Sequence, residues 1–261
     1  MGTRRLISAA ACAGVALAGL GLQAAATELK VGGVAIVKPT YEGSDSYEVV
    51  GAPFAFPVFG ATSNGTVSFN GADDVRFRLL NEQGFEAGPL AGYAFGRDEG
   101  DGDLLGGLGD VDGGVIVGGY LGYRIASLFF DVSYHHIVNG DTGGFLRLGV
   151  TNTYRVSPRF STKLRVGATY ADDDYLSDYF GISAAQAATS TAGLAAYDTS
   201  AGFKDVHVKL SATYDIDNRW TLTGSAGYKR LIGDAADSPV VESEDQFSAS
   251  LGVTYRFSFN R

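Results

Sequence analysis

The stretch "DVSYHH" sets Asp131, Ser133 and His135 at every second position. On a β-strand that spacing sends all three side chains to one face, so a carboxylate, a hydroxyl and an imidazole share a wall. Their chemistry would be acyl transfer, with the imidazole taking the serine proton and the carboxylate orienting the imidazole. Residues i and i+2 of a strand lie about 7 Å apart at Cα, so these side chains can meet but need not. A hydrolase also needs an oxyanion hole and an orienting third group, which a pattern of residue types does not provide. The same residues serve equally as the polar lining of an interior, and on that reading none of the three is catalytic.

Other chemistry is poorly supplied. His135, His136 and His207 are the only histidines and lack a paired metal-ligand spacing. The acidic run "DEGDGDLLGGLGDVDGG" shares only composition with a calcium loop, since the glutamate expected at its twelfth position is missing. It reads as a solvated loop whose carboxylates can meet the lipid phosphates of an outer membrane, lipopolysaccharide included, through divalent ions. The one cysteine, Cys12, lies in the first twenty-six residues. No metal or cofactor is expected.

Those first residues have the form of an export signal. Arg4 and Arg5 precede an uncharged run from Leu6 to Leu22, followed by Ala24-Ala25-Ala26 and the polar Thr27-Glu28. A basic segment, a short apolar segment and small residues at a cleavage point predict a signal peptide, residues 1–26, and a mature domain of residues 27–261. Losing Arg4 and Arg5 leaves eighteen basic against twenty-nine acidic residues, a net charge of −11. A surface so acidic argues against a nucleic-acid partner. No later run of eighteen apolar residues predicts a transmembrane helix.

Alternating segments separated by Gly, Asp, Asn and Pro predict twelve antiparallel strands. They cover 28–37, 48–60, 65–71, 73–80, 85–97, 114–125, 127–138, 145–156, 160–171, 203–216, 219–232 and 246–258. The even-numbered connections are all short, and the odd ones are long except at Gly71-Ala72. An up-and-down barrel places the two sets at opposite ends, and outer-membrane barrels have this asymmetry. The fold class expected is therefore all-β, an antiparallel transmembrane β-barrel of about twelve strands in the outer membrane of a Gram-negative bacterium, with both termini periplasmic. The last strand must pair with the first, which leaves no edge exposed to lipid.

The faces of the strands fit a bilayer. Phe160 and Tyr170 bracket one apolar face and Trp220 and Tyr228 another; with Tyr255 they predict an aromatic girdle. Arg76, Arg78, Arg124, Arg147, Arg155, Lys163, Arg165, Lys209 and Arg256 fall on inward registers, so the lumen leans basic while the odd loops hold most of the acid. Buried charges need partners, which favours a structural role for these cations over solute attraction. The Ala-rich "ISAAQAATSTAGLAAY" predicts a short helix after Ser183, in a thirty-one-residue loop that tucks into the mouth and constricts it. The chain continues past "YRF" through Phe259, leaving Phe257 and Phe259 as rival terminal aromatics for the barrel assembly machinery.

Five ordered strings, "YEGSDSY", "DYFGISAAQA", "YDTSAGFKDV", "RLIGDAADSPVV" and "LGVTYRF", resemble the signature segments of the MipA/OmpV family of MltA-interacting outer-membrane proteins. The residues that carry the resemblance include Tyr41, Gly43, Asp45, Asp178, Tyr179, Phe180, Gly181, Gly233, Asp234, Asp237 and Pro239. The resemblance implies a non-enzymatic scaffold that brings a lytic transglycosylase to a penicillin-binding protein in peptidoglycan (murein) synthesis and turnover. Other members are porin-like channels or surface adhesins, and a lumenal hydrolase is the remaining alternative. Most of the signature segments lie in or beside the long loops. Loop packing and barrel closure, rather than partner contact, are the roles expected of them.

Overall fold

The computed structural model describes residues 26–59, 67–138 and 143–258. The expected leader falls outside them except for Ala26, as does Phe259. Strands β1 (Ala26–Pro39), β2 (Tyr47–Phe59), β3 (Val67–Gly71), β4 (Asp74–Phe77), β5 (Leu80–Glu82) and β6 (Phe85–Ala94) come first. They are followed by β7 (Gly114–Ile125), β8 (Leu128–Ile137), β9 (Gly144–Ser157) and β10 (Phe160–Ala171). Helices α1 (Asp173–Phe180) and α2 (Ala184–Thr189) precede β11 (Gly202–Asp215), β12 (Trp220–Leu231) and β13 (Asp245–Ser258).

All the strands form one antiparallel sheet in the order β2-β1-β13-β12-β11-β10-β9-β8-β7-β6-β4-β3, with β5 also on β6. The fourth expected strand, 73–80, is broken in two. Arg76 stands opposite Leu90, but Leu80 stands opposite Ala87, so the register slips by one residue at Arg78-Leu79. Counting β4 and β5 as one broken stave leaves twelve. The first and last strands pair from Glu28↔Ser258 to Val37↔Ala249, as closure of a meander requires. The wall curls as a half-barrel whose edges are the consecutive strands β2 and β3, which share no ladder among the described residues. Pro53 and Pro57 deprive β2 of two N–H donors, which is tolerable at a sheet edge.

Short turns gather at one end with the termini of β1 and β13. At Gln83-Gly84 both residues take positive φ, 51° and 88°, the geometry that lets two residues reverse a twisted hairpin. Outward side chains are apolar and exposed along this wall, among them Leu164, Val166, Leu210, Leu251, Val253 and Phe257. Aromatic pairs stand near both ends of that face. Trp220 meets Tyr255 at 4.8 Å toward the turns, and Tyr170 meets Phe203 at 5.4 Å toward the loops. Tyr228 packs on Phe247 at 5.2 Å, while Phe160 is only half-buried at the start of β10.

The hydrophobic core sits at the other end, as a cap of long loops. Tyr41, Leu105, Leu108, Leu176, Phe180, Ile182 and Val240 bury against Ile137, Phe145 and Leu231 at the strand tops. Helix α1 starts because the Asp172 side chain accepts the Tyr175 N–H, and Asp173 and Asp174 suit its positive N-terminus. Its buried residues, Tyr175, Leu176, Tyr179 and Phe180, form one stripe turned to the lumen. Helix α2 follows Ser183 as expected, held by a capping box with Gln186. Helix α1 was not foreseen, because eight residues with three aromatics give a weak helical signal.

Phe180 has no exposed surface. Its replacement by Ala should cost the cap about 3–5 kcal/mol. Hydrogen exchange should then report lost protection at 172–182, with the β8–β12 amides unchanged. Equal loss in both regions would show that cap and wall unfold as one unit.

Candidate functional site

The inner face carries a network of charges whose burial changes along the barrel axis. Nearest the cap, Glu42 in the loop after β1 accepts from Lys204 at 2.5 Å, Lys229 at 2.8 Å and the Tyr175 hydroxyl at 3.2 Å. Lys204 also faces Asp205 at 3.2 Å. Asp205 accepts from Thr169 at 3.0 Å and lies 2.8 Å from His207 Nδ1. Strict alternation would turn Lys204 outward, since Asp205 points in. The register slips between Thr169↔Asp205 and Tyr170↔Phe203, leaving Lys204 as the extra residue of a bulge. The bulge brings both neighbours inside, and Lys204 is buried.

At mid-height Asp131 commits both oxygens to cations. Arg165 reaches them at 2.7 and 3.0 Å, and Arg76 reaches Oδ2 at 2.9 Å. Arg76 is also paired twice with Asp74, each bond 2.8 Å. Arg147 holds Asp73 at 2.8 Å, and Lys209 donates to the Asn70 carbonyl at 2.9 Å. Glu42, Asp73 and Asp74 were not singled out from the sequence. Only Asp74 left a signal, its spacing of two from Arg76.

Ser133 and His135 do meet. Ser133 Oγ lies 3.0 Å from His135 Nε2, and His135 Nδ1 lies 3.2 Å from the Asp73 carbonyl oxygen. A carbonyl only accepts, so Nδ1 carries the proton and Nε2 accepts from the serine hydroxyl. Asp131 does not complete a triad, being held by the two arginines. Phe145 stacks on the imidazole at 4.6 Å, and both Ser133 and His135 are buried. The pair ties β8 to the β3–β4 turn, with its hydroxyl and imidazole bonded to each other and to that turn.

Toward the short turns most of the cations open to water, although Glu86 stays buried. Glu86 joins Arg124 at 2.9 Å and Arg78 at 3.5 Å, and Arg256 lies 3.6 Å from Glu28. Arg155 and Lys163, on inward registers of β9 and β10, are exposed. Among the described residues no three His, Cys, Asp or Glu side chains converge as metal ligands.

Residues that carried the family resemblance converge in the cap. Tyr41 donates to the Val240 carbonyl and to Glu242, both at 3.0 Å. Gly43, at φ +106°, presents its carbonyl to the Glu242 and Ser243 N–H groups and packs against Val241, where a side chain would collide. Tyr179 donates to the Phe95 carbonyl at 3.2 Å, and its own carbonyl accepts from buried Arg97 at 2.8 Å. The Phe180 carbonyl accepts from Ser238 at 2.5 Å, and Gly181 ends α1 by donating to Leu176 and Ser177. Asp234 accepts from Tyr197 and Ser200, and Gly233 accepts the Asp237 N–H. Asp178 and Pro239 are half-buried, whereas Asp45 and the Asp237 side chain are exposed.

An apolar outside, a charged inside, and loops and turns sorted to opposite ends define a β-barrel of the outer membrane. The family model described as MltA-interacting protein MipA matches residues 31–257, and the chain belongs to that family. YiaT of Escherichia coli K12 is 30% identical over 121 residues, 46% of this chain and 48% of YiaT. The outer membrane protein OmpV of Vibrio cholerae is 34% identical over 91 residues, 35% of this chain and 34% of OmpV. The MltA-interacting protein of Escherichia coli K12 is 30% identical over 92 residues, 35% of this chain and 36% of that protein. The chain thus spans about half or less of the length of the relatives it matches. An outer membrane channel from Pseudomonas putida F1 is 11% identical with a TM-score of 0.43, covering 92% of this chain and 99% of that one. The NanC porin is 13% identical with a TM-score of 0.43, covering 87% and 98%.

Burial would raise the Glu42 carboxyl, but Lys204 and Lys229 outweigh it and hold the group at about 2, below its ordinary 4.5. A lowered carboxyl stabilises fully above its unfolded value and loses that contribution as pH falls through the folded one. The cap should therefore loosen between about pH 4.5 and pH 2, read as accelerated proteolysis within residues 172–201. Glu42→Gln should weaken the cap already at neutral pH, by leaving two cations unpaired, and should flatten this acid step. An unchanged step would assign it to other carboxylates.

Proposed function

We propose that this protein is a non-enzymatic scaffold of the cell-wall machinery, holding a lytic transglycosylase, and with it a penicillin-binding protein, from the periplasmic end of the barrel. The observation that carries the reading is the occluded lumen. The inward groups nearest the loops, Thr169, Asp205, Ser133 and His135, are between 0% and 1% exposed, and the cap roofs them. A barrel closed at one end serves diffusion badly and remains able to present a fixed surface. Membership of a family described by interaction with MltA, and likeness to a relative of that name, point the same way. On this reading the short-turn end, where β1 begins and β13 ends, faces the periplasm.

Affinity capture from gently cross-linked envelopes should recover a lytic transglycosylase with this protein. Recovery of neither a transglycosylase nor a synthase would sink the scaffold. Purified protein in planar bilayers should give no stable open steps. Steps that shrink on charge reversal of Arg147 or Arg165 would establish a channel instead. A serine-directed phosphonate should leave Ser133 unlabelled, and labelling there would reopen hydrolysis.

A further inference from the structure

Inward residues of β10 grow more exposed from the cap down to Lys163, and Ser161 beyond it is half-buried. Ala171 and Thr169 are buried, the Arg165 side chain is 14% exposed, and Lys163 lies open. β9 shows the same trend, from buried Phe145 to exposed Arg155. The lumen below the charge network is therefore a blind cup that opens at the short turns.

The register arranges its wall in rungs. Arg155, Ser161 and Thr213 form the outermost. Thr153, Lys163 and Ser211 form the next, and Thr151, Arg165 and Lys209 the innermost. Successive rungs are two residues apart, about 7 Å. Each holds at least one cation with a hydroxyl beside it. On the innermost rung Arg165 is taken up by Asp131 and Lys209 by a carbonyl. Arg155 and Lys163 have no ion pair or hydrogen bond among the described residues.

Carboxylates facing this end do not balance it. Glu86 is held between Arg78 and Arg124, Glu28 is beside Arg256, and Asp215 accepts from Thr221. Arg256 also stands directly opposite Lys30, and Glu28 lies beside this like-charge pair. The cup is cationic in a chain whose net charge is −9.

We infer that this cup docks an extended, carboxylate-rich peptide segment of a partner protein. The match is one of period: acidic side chains at every second residue of an extended peptide recur at about 7 Å, the spacing of the rungs. Arg155 and Lys163 take the carboxylates, and the neighbouring hydroxyls serve the peptide backbone. A free small anion would use one rung and leave the others unsatisfied. The inference deepens the scaffold reading and rests on it for the side from which the partner comes.

The test uses the whole folded protein in detergent and a fluorescein-labelled decapeptide of alternating Glu and Ser. Anisotropy should show saturable binding that weakens with salt and weakens about tenfold in the Arg155→Glu/Lys163→Glu double variant. Both side chains are exposed, and retained heat-modifiable migration would confirm the barrel. Asp237→Lys, at the opposite end, should bind as the parent does. A decapeptide of the same composition with its glutamates in one block should bind more weakly. The assignment is overturned if the double variant binds normally, if the block peptide binds equally well, or if inorganic phosphate competes as strongly as the peptide. It is also overturned if the double variant loses the peptide yet still captures a transglycosylase, an outcome that leaves the scaffold standing. Peptide binding by the cup with no transglycosylase captured by the parent protein keeps the cup and removes the scaffold.

Discussion

Asp131 is the tie on which the inner architecture depends. Its two oxygens join Arg165 of β10 to Arg76 of β4, so one carboxylate on β8 links three strands. The tie matters most for β4, whose ladder to β6 comprises only Val75↔Ala91 and Arg76↔Leu90 before the register slips. A buried carboxylate with a single cation would repay its desolvation poorly; with two guanidiniums, and Asp74 on the far side of one of them, the charges compensate one another. Replacing any one member would strand another in a dry site, which makes the group cooperative and its geometry hard to vary. Ser133 and His135 sit at the margin of this arrangement and share its logic. Their hydrogen bonds satisfy buried polar atoms, and the imidazole proton is fixed by a backbone carbonyl.

The cap is the second construction, and it explains why recognisable sequence strings occur in loops. A membrane barrel keeps its apolar side chains on the outside, so it has no conventional core to hold long connections in place. Here the loops carry their own, built from Tyr41, Leu105, Phe180 and Val240. Gly43 and Tyr41 bind the first loop to the last, and Arg97 with Tyr179 binds the third to the fifth. Glu42 then fastens cap to wall through Lys204 and Lys229. Residues that look like a recognition motif in one dimension are, in three, the joints between loops.

What could be read from the sequence follows from periodicity. Alternation fixed the faces of β9 to β13 except at the bulges, and the parity of loop lengths gave the up-and-down order, because both are local properties. Three features escaped for physical reasons. The break at Arg78-Leu79 disturbs one hydrogen-bond register without disturbing the apolar pattern. The bulge at Lys204 reverses a side chain that strict alternation assigns to lipid. The Glu42 contacts join residues 162 and 187 positions apart, and no short window contains them. The chemistry of "DVSYHH" was legible as one shared face. Whether that face was accessible depended on Phe145 and Asp73, which arrive from other strands and turns.

These parts give the molecule a polarity along its axis. At the loop end apolar packing and paired charges exclude water, and the acid of the long loops faces outward. At the turn end the same inner face is wet, hydroxyl-lined and cationic. A symmetrical pore would show comparable exposure at both mouths. The descent along β10 from buried Thr169 to open Lys163 instead describes an inner face roofed at the cap and exposed toward the short turns. Short turns offer a partner little convex surface, whereas a concave entrance multiplies the contact area within the barrel's own circumference. On the proposed docking role, the lumen is a receiving surface rather than a route across the membrane.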